Sequence, residues 1–423
     1  MSGRGVASIA GAVAALLALA VALVVWLNLR GDAQVAGRDG SVAAAPGLVE
    51  QGAYLARAGN CAGCHTARGG APFAGGHGIA TPFGTVVSRN LTPDPATGLG
   101  DWSADDFWRA LHNGRSRNGR LLYPACPYPN FTLVTREDAD AIFAFLRRQP
   151  AVTQPNQAHA LRFPYDRQAA LAVWRALYFR PGVFEPQAER PADWNRGAYL
   201  ARGLGHCEAC HAARNALGAT RGANELGGGP VPLQQWYAPS LASADEAGVA
   251  TWSRDELVAL LQTGTSAQGS VLGPMAQVVF RSTQHLHPAD LQAMAVFLQA
   301  LPPADAPVPA AAPPAPAAME RGAAVYEDRC AGCHGAQGQG APGAYPPLAG
   351  SRRLQWPVPT NIVRVIIAGG FPPATKGHPR PYGMPPFGPS LSNAEIADVA
   401  TFIRNSWGNR AGAVSELDVV RAR

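Results

Sequence analysis

Charge is scarce in this chain. Asp, Glu, Lys and Arg make up 15% of its 423 residues, and the Lys and Arg gather into no stripe. The formal charge of +6 therefore does not mark a nucleic-acid surface, which needs basic residues on one face. Methionine is scarcer still: beyond the initiator there are only Met275, Met294, Met319 and Met384. No phosphate-cradling glycine motif, no Ser-His-Asp set and no paired carboxylates stand out, so no hydrolytic or phosphoryl-transfer site is legible. Long apolar runs are absent but for one. Residues 6–27 are 22 positions without a charge, a helix of about 33 Å and long enough to cross a bilayer core. A secretory signal would have an apolar region of only ~7–15 residues followed by a small-residue cleavage site. "NLRGDAQVAG" is a poor one. The segment reads as an uncleaved anchor, and Arg4 before it puts the N-terminus in the cytoplasm.

What the chain has in quantity is apolar residues (47%), Gly (47) and Pro (38), a mix that suits compact, loop-rich domains. It also repeats itself. "QGAYLARAGNCAGCH" (51–65) returns as "RGAYLARGLGHCEACH" (196–211) and "RGAAVYEDRCAGCH" (321–334). "DWSADDFWRALHNG" matches "TWSRDELVALLQTG", and "TREDADAIFAFLRR" matches "HPADLQAMAVFLQA" and "SNAEIADVATFIRN". Such self-similarity marks a repeated structural unit. Ser103-x-x-Asp106, Ser253-x-x-Glu256 and Ser392-x-x-Glu395 are N-cap signals before apolar runs. Ile396, Val399, Ala400 and Ile403 share one helical face. Gly52, Gly197 and Gly322 hold matching places in the first helices, and Phe145, Phe297 and Phe402 in the last. A glycine facing an aromatic lets two helices cross closely.

The expected architecture is an all-α chain of three tandem domains behind a transmembrane helix. Its boundaries are an anchor (1–30), a tether (31–46), a first domain (47–150) and a packed connector (151–190). A second domain (191–300), a Pro/Ala linker (301–318), a third domain (319–410) and a C-terminal tail (411–423) follow.

Six of the seven cysteines fall into C-x-x-C-H: Cys61/Cys64/His65, Cys207/Cys210/His211 and Cys330/Cys333/His334. This is the spacing of c-type haem attachment, in which two thiols add to the haem vinyl groups and the adjacent His supplies the proximal imidazole. A structural zinc site needs four ligands, usually two such pairs together, whereas here there is one pair per repeat. A thioredoxin-like pair expects a βαβ setting, which is missing. Three covalent haems c follow, with the domains on the periplasmic side. No cysteine pair remains for a disulfide.

An electron-transfer haem usually has a second protein ligand, commonly methionine. Met294 falls on a core face and Met319 precedes its Cys pair. Met275 in "LGPMAQV" lies 64 residues after His211, and Met384 in "YGMPPFG" lies 50 after His334. Both read as rigid loops. The first repeat has no methionine. Cys126, in "YPACPYP" and 61 residues after His65, stands at the corresponding place. A thiolate there would lower the potential of the first haem. The alternatives are a buried neutral thiol beside an open or water-bound iron, or ligation by His77 or His112. An open iron could reduce peroxide, an enzymatic reading. Arg89 is a candidate partner for a haem propionate. His159, His285, His287 and His378 read as surface or loop residues.

With these motifs in place, the chain resembles the triple-haem cytochrome c subunit of membrane-bound bacterial dehydrogenases. The resemblance covers about residues 47–410 and includes "TPFGTVVSRNLTPDPATGLGDWS", "LRFPYD", "WRALYFRPGVF", "GPMAQVV" and "FIRNSWGN". It implies class I-type cytochrome c domains that take electrons from a catalytic partner and pass them to ubiquinone or another respiratory acceptor. The partner would be a quinoprotein, flavoprotein or molybdenum dehydrogenase. The resemblance also implies iron ligation by His65, His211, His334, Met275 and Met384, with Cys126 as a departure. The alternative is a free-standing cytochrome between a quinol-oxidising complex and a terminal oxidase.

Overall fold

The computed structural model describes residues 3–31, 46–220, 226–304 and 313–423. Residues 32–45 of the expected tether and 305–312 of the Pro/Ala linker lie outside the described residues. The chain divides into two compact units, Met1–Ala56 with Cys61–Glu185 and Arg57–Asn60 with Pro186–Arg423.

The first unit begins with α1 (Gly3–Leu29), whose stretch Ala7–Leu29 is long and apolar enough to cross a membrane and is not buried by the protein. Then come α2 (Pro46–Ala58), α3 (Cys61–His65), the hairpin β1 (Gly78–Thr81) and β2 (Gly84–Val87), α4 (Ala104–Asn113), α5 (Tyr128–Phe131), α6 (Arg136–Leu146), β3 (Ala160–Leu161) and α7 (Gln168–Tyr178). β3 adds antiparallel to β2, with Gly84 opposite Leu161. The stretch 151–185 is thus tied into this unit. Asn90 Nδ2 donates to Val152 O at 2.8 Å, and Phe184 N–H donates to Leu133 O.

The second unit holds α8 (Ala192–Tyr199), α9 (Glu208–His211), the pair β4 (Gly229–Val231) and β5 (Trp236–Ala238), α10 (Arg254–Thr263), the pair β6 (Thr265–Ser266) and β7 (Gly269–Ser270), α11 (Gly273–Arg281) and α12 (Pro288–Gln299). It continues with α13 (Pro316–Arg329), α14 (Ala331–His334), α15 (Thr360–Ala368), α16 (Asn393–Arg404) and α17 (Glu416–Ala422). The strands are two to four residues long, too short to show a period in the sequence, and the all-α expectation leaves them out. Residues 411–423 are not a loose tail. α17 packs on α15 and α16, and its Val419 and Ala422 belong to their core.

The helix signals act as read. Ser103, Ser253 and Ser392 each form a reciprocal capping box with Asp106, Glu256 and Glu395. Three helix crossings repeat one contact. A Cβ on Gly52 would strike the Ala141 carbonyl and come within 2.9 Å of Phe145 Cβ. On Gly197 it would strike the Ala293 carbonyl and come within 2.8 Å of Phe297 Cβ, and on Gly322 the Asp398 carbonyl and 2.7 Å from Phe402 Cβ. The residue before each glycine ties the same pair of helices: Gln51 to Asp138, Arg196 bidentate to Asp290 and Arg321 bidentate to Asp398. Gly322→Ala will therefore destabilise the second unit by about 1–3 kcal/mol, overpacking outweighing the gain of up to ~1 kcal/mol in helix propensity. A denaturant melt of the variant against the parent chain checks this.

Candidate haem-attachment sites

Each C-x-x-C-H ends on a short helix. α3 carries all of Cys61–His65, α9 ends at His211 and α14 at His334. One turn brings the second cysteine and the histidine to adjacent positions, so thiols and imidazole address the same space.

All three histidines are held in the same way. His65 Nδ1 lies 2.7 Å from Arg89 O, His211 Nδ1 2.8 Å from Pro239 O, and His334 Nδ1 3.2 Å from Pro346 O. A carbonyl only accepts, so Nδ1 carries the proton and Nε2 presents a lone pair, the tautomer a metal-ligating imidazole needs. Burial lowers the pKa of all three, which keeps the rings neutral and ready to coordinate.

In the second unit, Cys207, Cys210, His211 and Met275 line a cavity together with Cys330, Cys333, His334 and Met384. It is one continuous space of about 450 Å³. Met275 lies in the first turn of α11 rather than in a loop. Met384 sits in a segment pinned by paired backbone bonds with Gly370, at 2.8 and 3.0 Å. The cavity lining is mostly apolar, with Glu246, Arg329, Arg352 and Asn361 among its polar members, and it holds three donors that sequence reasoning missed. Arg353 Nε, Trp252 Nε1 and Trp356 Nε1 are buried without a hydrogen-bond partner, and all three residues line it. Arg353 reaches across to β7, where its Nη1 donates to Ser270 O. Orphaned buried donors are costly unless a ligand satisfies them. Two thiols, a lone-pair imidazole, a thioether, an apolar wall and donors for an anion fit a haem with its propionates.

In the first unit the sulfurs of Cys61, Cys64 and Cys126 lie within electrostatic reach of one another. Cys126 sits in a turn before α5, its N–H donating to Tyr123 O and its carbonyl accepting from Tyr128 N. Burial, then the neighbouring Cys64, pushes its thiol up to about 12. His77 is close enough to His65 to lower its pKa slightly. His112 is packed away, 1% exposed, stacked on Trp108 at 4.6 Å with Nδ1 3.0 Å from Thr132 O. Two nitrogens of the Arg89 guanidinium have partners within the protein. Nη1 donates to Gln157 O at 2.8 Å and Nη2 lies 3.2 Å from His159 Nε2.

His159 is accordingly more than a surface residue. Val87 N–H donates to its Nδ1 at 3.1 Å and the Arg89 cation lies beside its Nε2, so a second ring proton would break the first bond and face a like charge. Burial, Arg89 and Arg120 lower its pKa to about 4. The unfolded chain, with an ordinary value near ~6.5, binds that proton first. Stability will fall as pH drops from ~6.5 to ~4, and His159→Gln will flatten this part of the profile in denaturant melts at stepped pH. A profile unchanged by the substitution would contradict the assignment.

Comparison with known proteins follows the same residues. The cytochrome c family matches residues 49–150 and 319–407. The gluconate 2-dehydrogenase cytochrome c subunit of Pantoea cypripedii is 39% identical over 398 residues, 89% of each chain. The cytochrome c subunit of the quinone alcohol dehydrogenase of Komagataeibacter europaeus is 38% identical over 394 residues, 89% of this chain and 84% of that one. The fructose dehydrogenase cytochrome subunit of Gluconobacter japonicus is 32% identical over 407 residues, 89% of this chain and 82% of that one. Residues 191–300 fall outside the family match, yet His211 shows the same carbonyl-held geometry as His65 and His334.

Proposed function

The chain belongs to the cytochrome c subunits of bacterial dehydrogenases, electron-transfer proteins rather than catalysts, and from that premise we propose that it binds three haems c and relays electrons from a periplasmic dehydrogenase subunit to the quinone pool. The observation that carries the count is the set of three C-x-x-C-H motifs, each with its imidazole held by a backbone carbonyl. The three haem domains occupy 47–150, 191–300 and 319–410, the haem side faces the periplasm, and α1 anchors the chain in the inner membrane.

Bound haem c supplies one-electron Fe(III)/Fe(II) chemistry. The chain's residues do the rest. Cys61/Cys64, Cys207/Cys210 and Cys330/Cys333 fix each macrocycle covalently, and His65, His211 and His334 supply the proximal nitrogen. Met275 and Met384 would supply the second iron ligand at the two sites of the second unit, neutral thioethers that favour the reduced iron. Cys126 would do so in the first. Apolar walls exclude water, and Arg353, Trp252 and Trp356 neutralise or bind propionates. Residues of both sites in the second unit line one cavity, so two haems held there would share one protein compartment.

The relatives' names favour a dehydrogenase partner, and the sequence resemblance gives that partner a quinone, flavin or molybdenum cofactor. Purification of the detergent-solubilised complex tests this. A large dehydrogenase subunit should co-purify, and its substrate should bleach the oxidised haem spectrum within the mixing time. Isolation of the chain alone, reducible only by a quinol-oxidising complex, would favour the free-standing cytochrome instead. Steady peroxide turnover by the purified chain would support the enzymatic reading.

A further inference from the structure

Helix α7 has its polarity inverted for a helix on a water-soluble protein. Its one charged residue, Arg175, is 3% exposed, while the outward rows carry no charge at all. Ala169, Val173 and Leu177 form an exposed row, and beside it run half-buried Ala170 and Trp174 and exposed Tyr178. Val173 and Leu177 are 47% and 57% exposed. An exposed apolar face of this kind marks an interaction surface.

The inner face shows where α7 stands. Asn28, in the last turn of α1, donates from Nδ2 to Ala172 O at 2.9 Å and accepts at Oδ1 from Arg175 Nε at 3.0 Å. Arg115 Nη2 donates to Asn28 O at 2.9 Å, and Arg30 Nη2 to Phe179 O at 2.7 Å. The Arg175 guanidinium also covers the rings of Phe179 and Tyr128, at 4.7 and 5.2 Å. The buried polar cluster thus ties α7 to α1 where the apolar span ends, the level at which such a span leaves the hydrocarbon. Trp174 and Tyr178 pair at 5.6 Å, the residue types that settle at a membrane–water boundary. Exposed Arg167 and Arg180 flank the helix, placed for headgroup phosphates.

We propose that α7 lies in the bilayer interface beside α1 as a second, monotopic membrane contact, with Val173, Trp174, Leu177 and Tyr178 among the upper acyl chains. The inference rests on the reading of α1 as a membrane span. Together the two helices hold the first unit at a fixed tilt to the bilayer, with the Cys126 turn, whose neighbour Tyr128 packs against Arg175, close to the membrane surface.

The test uses the full haem-loaded chain in nanodiscs of phosphatidylethanolamine and phosphatidylglycerol, doped with a phospholipid bearing a diazirine near the ester end of its acyl chain. After irradiation, the tryptic peptides that begin after Arg167 and after Arg175 should carry lipid adducts, as should peptides from α1. The double substitution Val173→Ser with Leu177→Ser should cut α7 labelling roughly fivefold while leaving α1 labelling unchanged. Adducts in α1 with none in α7 would overturn the inference and leave the anchor standing. Adducts in neither would overturn both. Labelling of α7 that disappears once the dehydrogenase subunit is bound would assign this face to a protein partner, and would also overturn it.

Discussion

Replacing Cys126 with methionine will raise the midpoint potential of the first haem by on the order of 0.3 V, within the wide span that axial ligands command. Cys126 is brought beside Cys61 and Cys64 by the turn from Tyr123 to Tyr128, in the unit that contains no methionine beyond the initiator. In its buried pocket the free thiol is held at about 12, so without iron it stays protonated. A coordinating metal reverses this and removes the thiol proton outright. The resulting thiolate pushes electron density onto iron and stabilises the ferric state. A thioether carries no charge and removes that stabilisation. Redox titration of the parent and Cys126→Met chains, read in the haem absorption bands, measures the difference. The oxidised Cys126→Ala variant should gain a high-spin EPR signal from one haem. A shift below about 0.05 V, or a parent chain already high-spin at that haem, would remove Cys126 from the ligand set and leave an open site or His77, which neighbours His65.

Arg353→Leu will lower the potential of at least one haem in the second unit by on the order of 0.1 V. The guanidinium lines the cavity shared by Met275 and Met384. Burial lowers its pKa, but an arginine guanidinium keeps its proton in proteins, so the cation persists. At an effective dielectric of ~20, two unit charges ~10 Å apart interact by about 2 kcal/mol, or roughly 0.1 V for one electron. The cation favours the less positive ferrous state. Its removal also leaves a propionate uncompensated, which acts in the same direction. Arg353→Lys keeps the charge but loses the fork, and should restore most of the potential. Equal potentials in the parent and Leu variants would mean that Arg353 serves only to bind Ser270 and join α10–α11 to the third repeat.

Much of the scaffold was legible because it rests on local rules used three times over. The Ser-x-x-acid caps and the Gly–Phe crossings carry both a position and a reason. Ser415-x-x-Asp418 forms the same capping box at the head of α17, so that helix was readable in a stretch taken for a tail. The strands were not, since two to four residues give no alternation to count. The carbonyls that orient His65, His211 and His334 come from residues 12 to 28 positions away, and backbone acceptors have no sequence signature. Arg353 and Trp356 sit in "SRRLQWP", which carries no motif. Only the structure shows that Arg353 Nε and Trp356 Nε1 lack partners. Arg175 reads as an ordinary helix arginine until the apolar rows around it are seen to face outward.

The central claim is that all three C-x-x-C-H motifs carry haem, and the most direct measurement is the intact mass of chain matured in the periplasm, combined with haem quantified after alkaline pyridine treatment. The claim requires three covalently added haems per chain, with one lost in each of His-preserving variants Cys61→Ala/Cys64→Ala, Cys207→Ala/Cys210→Ala and Cys330→Ala/Cys333→Ala. A fully matured chain carrying two haems, or a Cys-pair variant that loses none, would contradict it.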